Sequence, residues 1–217
     1  MTRDQRPPPY FLALPATSPP FPGVLVLMEG NGISPQLLRV CERLAAEGYA
    51  AIAPDLYHRS GGSDPDRFME QLGALRVDEA MQDASACVAV LRDAGASAVG
   101  VTGFCMGGRL TYETAISDVD VQAAAGFYGA GLSSRLGTPK CPLLLFFGDN
   151  DEYVPAEEIA AVEAHHAGQV VVYPEAEHGF MRDGSDNYDE HAATDAWRRL
   201  LEFFGEHLGA PGRSAGD

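Results

Sequence analysis

The chain has 217 residues, with 31 Asp and Glu against 15 Lys and Arg, for a formal charge of −16. That length allows one large domain or at most two small ones, and 46% hydrophobic with 21% charged residues is a globular composition. The acidic excess excludes nucleic acid and anionic membrane as partners, because both would be repelled.

Residues 10–14 read as a short strand. The run 24–28, Val-Leu-Val-Leu-Met, is continuously apolar, as a strand buried on both faces requires. Glu29-Gly30-Asn31-Gly32 is a turn. Ser34 then stands as N-cap with Pro35 at the first helical position, and Leu37, Leu38, Cys41, Leu44 and Ala45 keep helical spacing up to Gly48. Residues 49–53 form the next strand, closed by Pro54-Asp55. The stretch 56–76 has no clear period and is expected to be a long functional loop. Val77, Ala80, Met81, Ala84, Cys87, Val88 and Leu91 mark a second helix that ends before Gly95. A strand over 98–102 runs into Gly103-Phe104-Cys105-Met106-Gly107-Gly108 and another helical pattern. Strands are predicted at 122–127, 143–147 and 169–173, with a helix opening at Pro155 between the last two. The final helix, 187–207, places Tyr188, Ala192, Trp197, Leu200, Leu201 and Phe204 on one apolar face. Strands alternating with helices predict an α/β fold, a mostly parallel sheet with helices on both faces. No repeat or linker divides it, so one domain is expected over 1–208, with 209–217 as a disordered tail.

Ligands of open α/β sheets bind beyond the carboxyl ends of the strands, and three polar clusters fall there. Gly103-Phe104-Cys105-Met106-Gly107 matches the nucleophile elbow G-x-S-x-G with Cys in place of Ser. The glycines suit a sharp strand-to-helix turn, and the helix that follows aims its positive end at Cys105. A nucleophile needs a base, and the base an orienting carboxylate. Gly148-Asp149-Asn150-Asp151-Glu152 follows one later strand and Glu175-Ala176-Glu177-His178 the next, in the order acid then His. Asp149 and Asp151 both qualify as the acid on this reading. His58, His165, His166, His191 and His207 lack such context and are expected at the surface, with no metal role for the adjacent His165 and His166. Cys41, Cys87 and Cys141 read as structural, and the cysteine spacing gives neither a zinc site nor a disulfide framework.

The chain resembles the dienelactone hydrolase family, cysteine-dependent members of the α/β-hydrolase fold. The matching pieces are Met28-Glu29 with Gly32, Pro54-Asp55-Leu56-Tyr57, the Cys105 elbow, Gly126-Phe127-Tyr128-Gly129, Asp151 with Val154-Pro155, and His178 with Phe180 and Arg182. They occur in family order from about residue 24 to the last helix. The resemblance implies Cys105 as nucleophile, His178 as general base and Asp151, rather than Asp149, as its acid. It implies that Glu29 lies beside Cys105 and controls thiol ionisation, since a neighbouring carboxylate favours the protonated thiol. It further implies an oxyanion hole from the backbone N–H groups of Met106 and Gly30, with Arg182 pairing with Glu29 and with a substrate carboxylate. Tyr128 and Arg59 complete the expected substrate-binding set, with Arg67 and Arg76 as other choices for the second arginine. The loop after Tyr57 is shorter than in classical members, and Asn31 stands where they carry a bulky apolar residue.

The expected activity is hydrolysis of a small carboxylate-bearing lactone, dienelactone to maleylacetate in type, through an acyl-enzyme. A carboxylesterase for short acyl esters is the alternative. A redox-sensing or ligand-binding protein is a different class, and would need no base and acid in series. Ser85 and Ser97 sit in no elbow, which disfavours a serine hydrolase. No cofactor is expected, because the sequence lacks GxGxxG after the first strand, GxxxxGK[ST] and any metal-ligand cluster. No stretch reaches the ~20 apolar residues of a membrane span, and the proline-broken N-terminus lacks a signal core, so a cytoplasmic location and no membrane partner are expected. The expected partner is the small-molecule lactone or ester alone, bound by a monomer or homodimer.

Overall fold

The structure, a computed structural model, describes residues 6–209. Seven strands form one sheet in the order β1-β3-β2-β4-β5-β6-β7. They are β1 (Tyr10–Ala13), β2 (Phe21–Leu27), β3 (Ala50–Pro54), β4 (Ala96–Phe104), β5 (Ala123–Phe127), β6 (Leu143–Gly148) and β7 (Val170–Tyr173). Only β1 runs antiparallel, against β3, and every other pairing is parallel. The helices are α1 (Pro35–Ala46), α2 (Phe68–Ala74), α3 (Val77–Asp93), α4 (Met106–Ile116), α5 (Ala156–His165) and α6 (Glu190–Leu208). This is the expected α/β architecture with a mostly parallel sheet.

The central strands are mostly apolar because helices cover both of their faces. All seven residues of β2 are buried, and Val24, Leu25 and Val26 expose no surface. Alanines and Gly126 line β5, which lets the backbone of α4 approach it closely: a Cβ on Gly126 would press on the Gly108 carbonyl. The cap expected for α1 is present, with Ser34 Oγ accepting from the Leu37 amide at 3.2 Å and Pro35 opening the helix. Among the described residues no helix is long and apolar enough to cross a membrane.

Five expectations need correction. The stretch 56–76 is largely ordered, with 3-10 turns at His58–Ser60 and Pro65–Arg67 followed by α2. Here Asp64 accepts from the Asp66 amide, while the buried Gln71 donates to the Gly62 carbonyl and accepts from the Asp64 amide. His166 is buried rather than at the surface, because the Tyr112 hydroxyl pairs with its Nε2 at 2.8 Å. His58 is half-buried against Asp83 at 3.2 Å, and His207 is also half-buried, whereas His165 and His191 are exposed as expected. Tyr188 precedes α6, 37% exposed, because Asp189 caps that helix through the amides of His191 and Ala192. The expected tail lies outside the described residues except for Gly209.

Candidate active site

The carboxyl ends of β2, β3, β4, β6 and β7 carry, in turn, Glu29, Tyr57, Cys105, Asp151 and His178. Between β4 and α4, Cys105 adopts φ 54° and ψ −117°, a left-handed conformation that costs a side-chain-bearing residue about 1–3 kcal/mol. Its N–H donates to the Phe127 carbonyl at 3.0 Å, and its carbonyl accepts from the Arg109 amide at 3.1 Å. The flanking glycines are required by backbone contact. A Cβ at Gly103 would meet the Gly107 carbonyl, and one at Gly107 would meet that of Leu27. Because the obstruction at Gly107 is backbone, it cannot swing aside. Gly107→Ala is therefore expected to destabilise the fold by about 3 kcal/mol and lower the melting temperature by roughly 10 °C, read by thermal denaturation.

His178 Nδ1 lies 2.8 Å from Asp151 Oδ2, with both residues buried at 8% and 7% exposure. The other carboxylate oxygen of Asp151 accepts from the amides of Tyr153, at 2.8 Å, and Val154, at 3.2 Å, which fixes its plane. The rings of Tyr128 and Tyr153 stand edge-on to His178 at 5.0 and 4.8 Å, and Asn187 donates to its carbonyl at 3.0 Å. Burial alone would lower the pKa of His178. Hydrogen bonds to Asp151 and Cys105, and their charges, outweigh it and raise the value to about 9. Asp149 faces outward and accepts from the Glu175 amide at 2.6 Å, so the contact with His178 falls to Asp151.

Glu29 is buried and bound bidentately by Arg182, Nε to Oε2 at 3.2 Å and Nη2 to Oε1 at 3.0 Å. The Tyr128 hydroxyl donates to Oε1 at 3.5 Å. Thus the carboxylate expected to rest beside the thiol is here oriented by Arg182. A separate cleft of about 840 Å³ runs along Glu175, Glu177, Asp186, Asp189, Glu190 and Asp195; it includes none of Cys105, Asp151 or His178. Among the described residues no group of three or more His, Cys, Asp or Glu is placed to hold a metal ion.

The profile of the dienelactone hydrolase family matches residues 9–208. The chain belongs to this family. A Methylorubrum extorquens protein named "Putative carboxymethylenebutenolidase" is 34% identical over 223 residues, covering 92% of this chain and 77% of its own. Among solved structures, a "Putative Dienelactone Hydrolase" from Klebsiella pneumoniae superposes with a TM-score of 0.81 at 29% identity, covering 91% of this chain and 92% of its own. The dienelactone hydrolase-like promiscuous phosphotriesterase P91 from metagenomic libraries gives 0.75 at 25% identity, with 89% of each chain covered.

In this dienelactone hydrolase scaffold, both Tyr128 and Arg59 are engaged by other side chains of the protein. Tyr128 is 1% exposed, at φ 39°, with its ring packed on His178 and Phe180 and its hydroxyl on Glu29. Arg59 makes two hydrogen bonds to Asp83 of α3, with His58 and Glu79 also beside its guanidinium. Arg67 pairs with Glu70, and Arg76 with Asp78 and Glu79. All three arginines are thus engaged by carboxylates of 70–83. One residue outside the expected site set, Tyr57, also reaches the site. The Tyr57 hydroxyl donates to the Gly30 carbonyl at 2.7 Å and touches Met106 Sδ at 3.5 Å. In the sequence it closes the family-matching piece Pro54-Asp55-Leu56-Tyr57 at a strand end, a piece to which no role was attached.

Proposed function

We propose that the chain is a cysteine-dependent hydrolase of small lactones or esters, built as one α/β-hydrolase domain over 1–208. Cys105 is the nucleophile, His178 the general base and Asp151 its orienting acid. The observation that carries this reading is the buried His178–Asp151 hydrogen bond at 2.8 Å beside a cysteine held in the strained elbow conformation. The Cys105 proton passes to His178 as sulfur bonds to the substrate carbonyl carbon, and the carbonyl π pair moves to oxygen. The N–H groups of Met106 and Gly30 bind that oxyanion. Its collapse expels the alkoxide, which takes the proton from His178, and leaves a thioester on Cys105. Water, deprotonated by His178, then attacks the thioester and releases the acid. The hydrogen bonds and charges of Asp151 and Cys105 that raise the pKa of His178 favour the imidazolium that the first step creates.

The leading substrate is a lactone bearing a carboxylate, recognised by Arg182, whose side chain is 37% exposed while it orients Glu29. Hydrolysis of short neutral esters is the second reading. The pairing of Arg59, Arg67 and Arg76 with carboxylates favours it, because each is thereby neutralised as a partner for an anionic substrate. Acid quenching during turnover of p-nitrophenyl acetate, then peptide mass spectrometry, is expected to find the acetyl group on Cys105. A burst of p-nitrophenol with the acyl group on another residue, or on none, would overturn the assignment. Comparing dienelactones with short p-nitrophenyl esters decides between the substrates.

A further inference from the structure

Gly30 is a weak point in the proposed oxyanion hole unless something holds it. It has no side chain, and it sits in the turn that follows β2, where its two flanking peptide planes rotate unless bonded. On one side, the Gly32 amide donates to the Glu29 carbonyl at 3.0 Å, which fixes the 29–30 peptide that carries the Gly30 N–H. On the other, the Gly30 carbonyl belongs to the 30–31 peptide, and Tyr57 grips it at 2.7 Å. The hydroxyl has a single proton. At these distances the carbonyl takes it, and the Met106 sulfur at 3.5 Å is a packing contact. That contact still matters, since it sets the same phenol against the residue that supplies the second oxyanion amide.

Tyr57 itself is held firmly. It is 2% exposed, its own N–H donates to Asp55 Oδ1 at 3.0 Å, and the same oxygen accepts from Ser63 Oγ at 2.8 Å. Ser63 Oγ in turn accepts from the Ile33 amide at 3.0 Å, so the loops after β2 and β3 are tied at two points. Burial, reinforced by the charges of Cys105 and Asp55, pushes the phenol pKa up to about 12, so the hydroxyl remains a donor through the neutral range.

We infer that Tyr57 is a positioning residue for transition-state binding: by holding the 30–31 peptide it fixes the Gly30 backbone from its second side, so that the Gly30 and Met106 amides converge on one oxyanion. This rests on the proposed Cys105 mechanism. Misplacing one donor by a fraction of an ångström weakens binding of the developing charge, which exists only in the transition state. Tyr57→Phe removes one oxygen atom and keeps the packing. It is expected to lower kcat for p-nitrophenyl acetate by about 30-fold with KM changed less than threefold.

A trifluoromethyl ketone provides the second readout. Cys105 sulfur adds to its carbonyl carbon, the thiol proton goes to His178, and the resulting oxyanion occupies the same hole. Its affinity is expected to fall by about the same factor as kcat/KM in Tyr57→Phe, while that of the product acid stays unchanged. These dissociation constants remain readable if the variant yields less folded protein. Tyr112→Phe is the control, because it also loses a buried phenol bonded to protein, at 2.8 Å to His166, but stands outside the site. It is expected to lower the melting temperature with kcat unchanged. Full activity and unchanged ketone affinity in Tyr57→Phe would overturn the inference, as would an equal loss of kcat in Tyr112→Phe. Cys105→Ala separates this from the underlying mechanism: if that variant retains turnover, the Cys105 reading itself fails, whatever Tyr57→Phe does.

Discussion

Asp151→Asn is expected to lower kcat/KM for esters and lactones alike by about 10³ to 10⁴ while leaving the fold intact. The Asn carbonyl can still accept from the Tyr153 and Val154 amides, which are the bonds that shape this loop. Its amide can meet His178 only by donating, so Nδ1 must become an acceptor and the proton moves to Nε2. The ring then presents N–H, rather than a lone pair, to the thiol, and cannot take its proton. The same change removes the negative charge that helps to hold His178 near 9. A pKa raised from 6.5 to about 9 contributes stability that is complete below pH 6.5 and is lost as pH rises through 9. The wild-type melting temperature is therefore expected to fall between pH 7 and 10, and Asp151→Asn to flatten that dependence. A loss of activity below tenfold, with an unchanged pH dependence of melting, would remove Asp151 from the mechanism.

The parts that were legible in the sequence share a physical property: they are local in the chain. β2 announces itself as an unbroken apolar run because both faces are covered. The Cys105 elbow is readable because backbone packing at Gly103 and Gly107 leaves no room for a side chain. The order of Cys105, Asp151 and His178 follows from strand ends all lying on one edge. What escaped is non-local or too short to show a period. The seven residues of α2 complete barely two turns, and a buried Gln71 rather than an apolar stripe anchors them. Arg59 meets Asp83 across 24 residues, and Tyr112 meets His166 across 54. No spacing rule reaches that far. The pairing of Arg67 with Glu70, three residues on, was within such a rule, although the family's second arginine suggested that residue for substrate.

Arg182→Ala is expected to separate the two substrate readings. In the wild type Nε and Nη2 bind Glu29, and the side chain is partly exposed, which leaves Nη1 as the donor a substrate carboxylate would meet. Removing it has two consequences. Every substrate loses the orientation of Glu29, a buried carboxylate left with the Tyr128 hydroxyl as its remaining hydrogen-bond partner among the described residues. Only a carboxylated substrate also loses its counter-charge, and a charge-assisted bidentate pair contributes on the order of 2–4 kcal/mol when partly desolvated. For a dienelactone, kcat/KM is expected to fall by about 10² to 10³, mostly through KM, and for p-nitrophenyl acetate by only about tenfold. Arg182→Lys should restore charge without the fork, recovering part of the lactone activity and little of the Glu29 geometry. Equal losses on both substrates would mean that Arg182 acts solely through Glu29. The carboxylate preference would then have no cation in the described site to supply it, and the neutral ester becomes the reading that remains.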